Sequence, residues 1–223
     1  MNRTPRILLK PGNSFIRKYI LHKLQTNPID PKQRIIEDDE AADIDYTIDI
    51  HDDHAEILRS EGDSVTLRYP MVIGTGMTGE AARTARMIYR GTYLHVKDSE
   101  ARVSVIHATD VAAAVRIALT NESIKGVYTI SDGVDPTRHD LAEALAWRLG
   151  QKRIYSLSAK KFAKLARWAD RLGLSAYNTK QLLLLTTDAI VNATDWAELA
   201  GKDWQPQSTV EYLRTHIYDE HSL

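Results

Sequence analysis

The stretch that most constrains the fold is residues 65–79, VTLRYPMVIGTGMTG. Val65 and Leu67 read as a buried strand, Pro70 breaks it, and Gly74, Gly76 and Gly79 form a glycine-rich loop. A helix follows, with Thr78 placed as its cap. A strand that empties into a glycine loop and a helix is how open α/β sheets build ligand crevices at the carboxyl ends of their strands.

The rest of the chain alternates in the same way. Arg6 to Leu9 is a short apolar strand, and Pro11-Gly12-Asn13-Ser14 is a turn. Phe15, Ile16, Tyr19, Ile20 and Leu24 then recur at helical spacing. Gln33 to Ile36 reads as a second strand, closed by the acidic run Glu37-Asp38-Asp39-Glu40. Tyr46 to Ile50 alternates as a third strand, and Asp52 to Ser60 reads as a short helix ended near Gly62. Beyond residue 79 the pattern predicts a helix over 80–89, strands at 93–96 and 103–106, and an apolar helix capped by Asp110. A strand at 127–130 comes next, followed by mostly helical sequence. Thr137 with Asp140, and Ser208 with Glu211, have capping-box spacing. The fold class expected is α/β: a shortened Rossmann-like, mostly parallel sheet flanked by helices, with a smaller, mostly helical C-terminal lobe.

Totals exclude several function classes. Lys and Arg number 29 against 30 Asp and Glu, a net charge of -1. That balance predicts no nucleic-acid and no membrane partner. With no cysteine, disulfides, thiolate chemistry and zinc–sulfur sites are out. No apolar run approaches the roughly 20 residues of a spanning helix. A soluble, cytoplasmic protein is expected. His51 and His54 flank Asp52-Asp53, but short mixed runs of this kind are usually solvated, so no metal site is expected.

Four segments carry a family resemblance. Arg68-Tyr69-Pro70-Met71-Val72-Ile73-Gly74-Thr75-Gly76 is similar to an "RPxxVYGPG" segment, and Arg102-Val103-Ser104-Val105-Ile106-His107-Ala108-Thr109-Asp110-Val111-Ala112 to "RDFIHVDDVA". Gly126 to Gly133 is similar to "GVYNVSDG", and Thr194 to Pro206 weakly to "SKAREELGWxP". In this order they resemble the C-terminal half of the NAD-dependent epimerase/dehydratase family, within the extended short-chain dehydrogenase/reductase superfamily, over about two thirds of the chain. The resemblance implies NAD or NADP as cofactor and a nucleotide sugar as substrate. It places cofactor contacts at Gly12, Asn13, Phe15, Ile16, Pro70 and Val72. Substrate contacts fall at Gly74, Gly76 and Arg102, the last a guanidinium suited to phosphate. His107 matches a histidine of a packed turn and is expected to be structural.

The N-terminus resembles the family's "ILVTGANGFIG" in damaged form. Its three glycines fall on Pro11, Ser14 and Arg17. Pro11 fixes φ and removes a donor, Ser14 adds a side chain where phosphate should meet backbone, and Arg17 puts a long chain where helix should press on strand. The family's tyrosine and its lysine four residues later are not found either. If Tyr46 is that tyrosine, Ile50 holds the lysine position and cannot acidify a phenol. If Tyr46 to Ile50 is the family's third strand, with Ile48-Asp49-Ile50-His51-Asp52 matching "GDltD", the tyrosine motif is deleted. The second alignment is preferred, and no catalytic residue is assigned.

The expected division is 1–78, a degenerate Rossmann-like half lacking the family's middle section, and 79–223, the remaining strands with a substrate-type lobe. Losing two strands beside the first one would leave a gap of about 10 to 15 Å. Open edges are hazardous, so direct pairing of Arg6–Leu9 with Val65–Arg68 is expected, and the family's dimer is not. The leading expectation is a degenerate epimerase/dehydratase-like protein without hydride transfer, binding a nucleotide or nucleotide sugar or partnering an intact relative. The alternative is an active NAD(P)-dependent enzyme with an altered cofactor site.

Overall fold

The computed structural model describes residues 5–36, 44–60, 62–151, 153–174 and 177–215. They form two compact units, and the chain crosses between them more than once. The first unit takes the chain up to Met77 and holds β1 (Arg6–Leu9), α1 (Ser14–Thr26), β2 (Arg34–Ile36), β3 (Tyr46–Ile50), β4 (His54–Arg59), β5 (Ser64–Arg68) and β6 (Met71–Ile73). At Thr78 the chain enters the second unit, with α2 (Gly79–Tyr89) and β7 (Leu94–Val96). It returns through β8 (Val105–His107) for α3 (Ala108–Thr120) and β9 (Gly126–Thr129). The second unit resumes with α4 (Arg138–Arg148), β10 (Tyr155–Leu157), α5 (Ala159–Arg171) and α6 (Thr179–Thr186). The first unit then gains α7 (Thr194–Ala200), and α8 (Thr209–Thr215) closes the second.

The first unit is built on a six-stranded sheet, ordered β2-β1-β3-β4-β5-β9. β1 runs parallel to β2 and β3, and β5 to β9, while β4 is antiparallel to both neighbours. The sheet is thus mostly parallel, with one reversed strand in its middle. α1 and α3 pack on each other, and α3 also meets β4 and β5. One contiguous core runs through this unit, from Ile7 and Leu9 through Ile48, Ile57 and Leu67 to Trp196 and Trp204. Each side chain of this size, fully buried, contributes about 1.5–3 kcal/mol.

Three expectations are overturned here. Residues 52–60 are not a helix: Ala55 and Ile57 are buried with their neighbours less so, the period of two that makes β4. A short run in which Ile57 and Leu58 adjoin satisfies either period weakly, and pairing with β3 and β5 decides it. β1 and β5 do not pair either, because β3 and β4 stand between them. The edge hazard is met by a hairpin, tightened at the His51 N–H to His54 carbonyl bond of 2.8 Å, which gives both strands a partner. Nor is β3 the family's third strand. In the doubly wound order 3-2-1-4-5-6 the third strand lies beyond the second, whereas β3 lies on the other side of β1. The acidic run 37–40 lies outside the described residues.

In the second unit α2 packs on α4, α4 on α8, and α5 on α6, with β7 and β10 paired in parallel. Thr137 caps α4 as expected: its hydroxyl accepts the Asp140 N–H at 3.0 Å and donates to the Asp140 carboxylate at 2.7 Å. Among the described residues no helix is long and apolar enough to cross a membrane.

Candidate functional site

The glycine loop leaves β6, which pairs with β8. The Met77 N–H donates to the Gly74 carbonyl at 3.1 Å, closing a turn. Its floor is α1. Phe15 and Tyr19, one turn apart, meet edge to face at 5.7 Å, and Tyr19 meets the His107 ring at 6.1 Å. The Thr75 N–H donates to the Tyr19 hydroxyl at 2.8 Å. A Cβ on Gly74 would stand 2.9 Å from that hydroxyl, 3.2 Å from the Ala108 Cβ and 3.3 Å from the Phe15 ring. Glycine is therefore required at 74 for close approach of loop to helix. The exposed Lys18 holds its ammonium 5.4 Å from the Tyr19 ring centroid, within cation–π reach. It lies 2.8 Å from where a Gly76 Cβ would be. A fixed backbone turn with a cation at its lip is an arrangement that can meet a phosphate.

His107 behaves as expected of a packed-turn residue. It is buried, and its Nδ1 lies 2.7 Å from the Thr109 hydroxyl and accepts the Thr109 N–H at 3.3 Å. His107, not Asp110, thus caps α3. Asp110, in the first turn, is buried and carries a pKa raised to about 6, chiefly by desolvation. The Gln207 N–H donates to it at 3.3 Å.

The β1–α1 turn is closed on itself. The Asn13 carboxamide oxygen accepts from the N–H groups of Phe15 (3.0 Å) and Ile16 (3.2 Å), and the Arg17 N–H goes to the Asn13 carbonyl. The first-turn donors that a dinucleotide pyrophosphate would take are already used. The turn lies on the end of β3. Asn13 donates its backbone N–H to the Ile50 carbonyl at 3.1 Å and its amide to Asp52 at 3.0 Å. A Cβ on Gly12 would collide with the Ile50 carbonyl oxygen. Phe15, Ile16 and Val72 belong to the core, and Pro70 is half-buried. The Arg17 guanidinium reaches the Leu9 carbonyl at the carboxyl end of β1, 3.5 Å away. Gly12, Asn13, Phe15 and Ile16 are thus together in one turn, each with a packing or capping role.

Arg102 lies in the second unit and is exposed. Its backbone N–H donates to Asp188 at 2.7 Å, and its guanidinium donates to the Asp135 carbonyl at 2.9 Å. Tyr46 opens β3 at its amino end, opposite Arg59, and Ile50 is buried at the other end. Two buried phenols remain. Tyr69 donates to the His51 carbonyl at 2.7 Å, and its pKa is pushed up by burial, then by Asp53 and Asp52. Tyr93 is pushed up by burial despite Arg138. His51 and His54 stack at 4.3 Å and pair with Asp49 and Asp53. Among the described residues no group of three or more acids and histidines is arranged to hold a metal. A cavity of about 540 Å³ opens elsewhere in the first unit, beside Asp45, Tyr46, Arg59 and Asp63. It lies at the amino end of β3, not where such sheets bind ligands. Lys18 and Tyr19 are the site residues that sequence reasoning missed. The only signal was the Phe15–Tyr19 spacing, read there as packing alone.

No protein-family model matches the chain, and no curated protein does. Solved structures do. UDP-N-acetylglucosamine 4-epimerase from Bacillus cereus superposes with a TM-score of 0.60 at 11% identity, over 95% of this chain and 94% of that one. A nucleoside-diphosphate-sugar epimerase from Pseudomonas aeruginosa gives 0.48 at 22% identity, over 67% of this chain and 45% of its own. UDP-glucose 4-epimerase from Thermotoga maritima, solved with UDP-glucose, gives 0.44 at 23%, over 67% and 43%. The chain thus spans less than half the length of these last two. The first likeness shows the fold, which this chain shares with that epimerase over nearly the whole of both chains.

Proposed function

We propose that this chain is a degenerate epimerase-like protein that has lost hydride transfer and binds a nucleotide sugar, its phosphates held at the Gly74–Gly76 loop by Lys18. The observation that carries the reading is the closed β1–α1 turn, where Asn13 occupies the Phe15 and Ile16 N–H groups. A dinucleotide would have to displace that cap and also meet Arg17. The buried phenols support it, since Tyr69 and Tyr93 are both shifted away from the acidity hydride chemistry needs. Cofactor contacts at Gly12, Asn13, Phe15, Ile16, Pro70 and Val72 are accordingly not part of this proposal. Gly74 and Gly76 are retained as substrate contacts, and Arg102, which belongs to the other unit, is not part of this proposal.

The test is a thermal-melt panel of NAD, NADH, NADP, NADPH and UDP-sugars. A ligand at 100 times its Kd adds about 2.7 kcal/mol. A shift with a UDP-sugar alone, reduced in Lys18→Ala, is the expected result. A comparable shift with a dinucleotide, followed by turnover, overturns the reading in favour of an active enzyme with an altered cofactor site. Silence across the panel overturns the ligand and leaves the role of partner to an intact relative, to be sought by pull-down.

A further inference from the structure

The total charge of the chain conceals a strong local asymmetry. Between Arg153 and Thr187 there are seven Lys or Arg and a single Asp, a net charge of +6 in a chain of net -1. Most of that charge is on α5. At 3.6 residues per turn, Lys160, Lys161, Lys164, Arg167, Trp168 and Arg171 fall within an arc of about 120°. All six are exposed. The opposite face, Phe162, Ala166 and Ala169, is buried, so this outward stripe is not the core-facing side. The lone acid is turned away from it: Asp170 binds the Thr179 hydroxyl and accepts the Thr179 N–H at the start of α6. None of the five cations has an ion-pair partner among the described residues.

Large apolar side chains stand in and beside the stripe. Trp168 and Leu172, one helical turn apart, are each 65% exposed, and Leu174, just past the end of the helix, is exposed as well. We propose that the outward face of α5 is a docking surface for a bilayer rich in anionic phospholipid, with the cations on the headgroups and Trp168 and Leu172 at the level of the acyl boundary. Four observations select this occupant. Five unpaired cations on one helix match a negative surface. Exposed leucines gain nothing from a nucleic-acid backbone but do gain from partition into a bilayer. Three of the five cations are lysines, which protein interfaces deplete. Trp, with an apolar ring and a polar N–H, suits the boundary between headgroups and chains. The surface lies on the membrane and does not span it.

The test is co-sedimentation of the full chain with vesicles of phosphatidylcholine alone and of equal parts phosphatidylcholine and phosphatidylglycerol. Partition at least about tenfold greater onto the anionic vesicles, weakening as salt is raised, is expected. The double variant K164E/R167E, exposed at both positions and so not expected to unfold, should lose about tenfold or more. Trp168→Ala should lose binding that survives at raised salt. Equal partition onto both vesicles, or no loss in K164E/R167E, overturns the proposal. So does binding to a polyuridylate strand that the same variant abolishes while vesicles go unbound.

Discussion

Two strand-to-helix turns in this chain start from similar sequence signals and end in opposite states. The β1–α1 turn has one glycine, and that glycine serves packing: its missing Cβ lets the turn lie on the Ile50 carbonyl. Asn13 then satisfies the helix from within. The glycine loop after β6 is held by side chains from α1, and leaves an exposed cation, Lys18, at its lip. Thr78 precedes α2 with no side-chain capping bond. A helix end that caps itself gains stability and gives up its donors, while one that does not keeps them for a ligand or water. The same architecture can therefore be closed at one crevice and open at another.

The largest expected effect tests whether Gly12 is structural. Gly12→Ala drives a Cβ into a backbone oxygen, which cannot rotate away, and should cost about 2–3 kcal/mol. Gly79→Ala has a φ of +63° but nothing within 4 Å, so only backbone strain of about 1 kcal/mol is expected. Urea unfolding of the two variants measures the difference. Equal losses would break the contrast, because Gly12 would then not be packed as described.

An effect of about 1 kcal/mol isolates the buried carboxyl at the start of α3. Asp110, in the first turn of α3, is buried and accepts the Gln207 N–H. Its folded pKa, about 6, is above the ordinary carboxyl value of 3.8, so the native state holds its proton longer than the unfolded chain. Its contribution is fully present at low pH and is lost as pH rises from about 3.8 through 6. Asp110→Asn should therefore gain about 1 kcal/mol above pH 6, allowing for its partial exposure, and nothing near pH 4. His95, 2% exposed and shifted down to about 4 by burial and His139, slopes the other way. Its neutral form is favoured in the fold, so its contribution is lost as pH falls below about 6.5. Wild type minus variant at each pH cancels that second slope. A difference that does not change with pH would place Asp110 in water rather than buried beside Gln207.

The strands and helices that follow a clear period were legible: β1, α1, β3, β5 and the capping box at Thr137 come directly from residue spacing. What escaped was non-local. β4 looked helical because its six residues are too few to show a period, and its partners lie on either side of it. The pairing of β1 depended on which strand could reach it, and the chain solved that with a hairpin rather than a closure. At the site, Gly74 was visible but its reason was not. Tyr19 and Thr75 are 56 residues apart, and nothing local in the sequence joins them. Asp110 was read as a cap from its residue type, while the capping atom belongs to His107, a residue rarely chosen for that position.

The smallest effect probes the two caps directly. Asn13→Ala removes the acceptor for two N–H groups and should cost about 1 kcal/mol. Thr78→Ala removes a side chain that makes no capping bond and should cost a few tenths at most. The pair also separates stability from function. If the β1–α1 turn is closed only by Asn13, Asn13→Gly should free its donors and produce a melt shift with NAD that wild type lacks. The Arg17 guanidinium at Leu9 and the Gly12 contact with β3 both argue that it will not. A shift appearing in Asn13→Gly would mean that a single side chain separates this chain from a cofactor-binding turn. Its absence would mean that Arg17 and the backbone path on β3 keep the turn closed without the Asn13 cap.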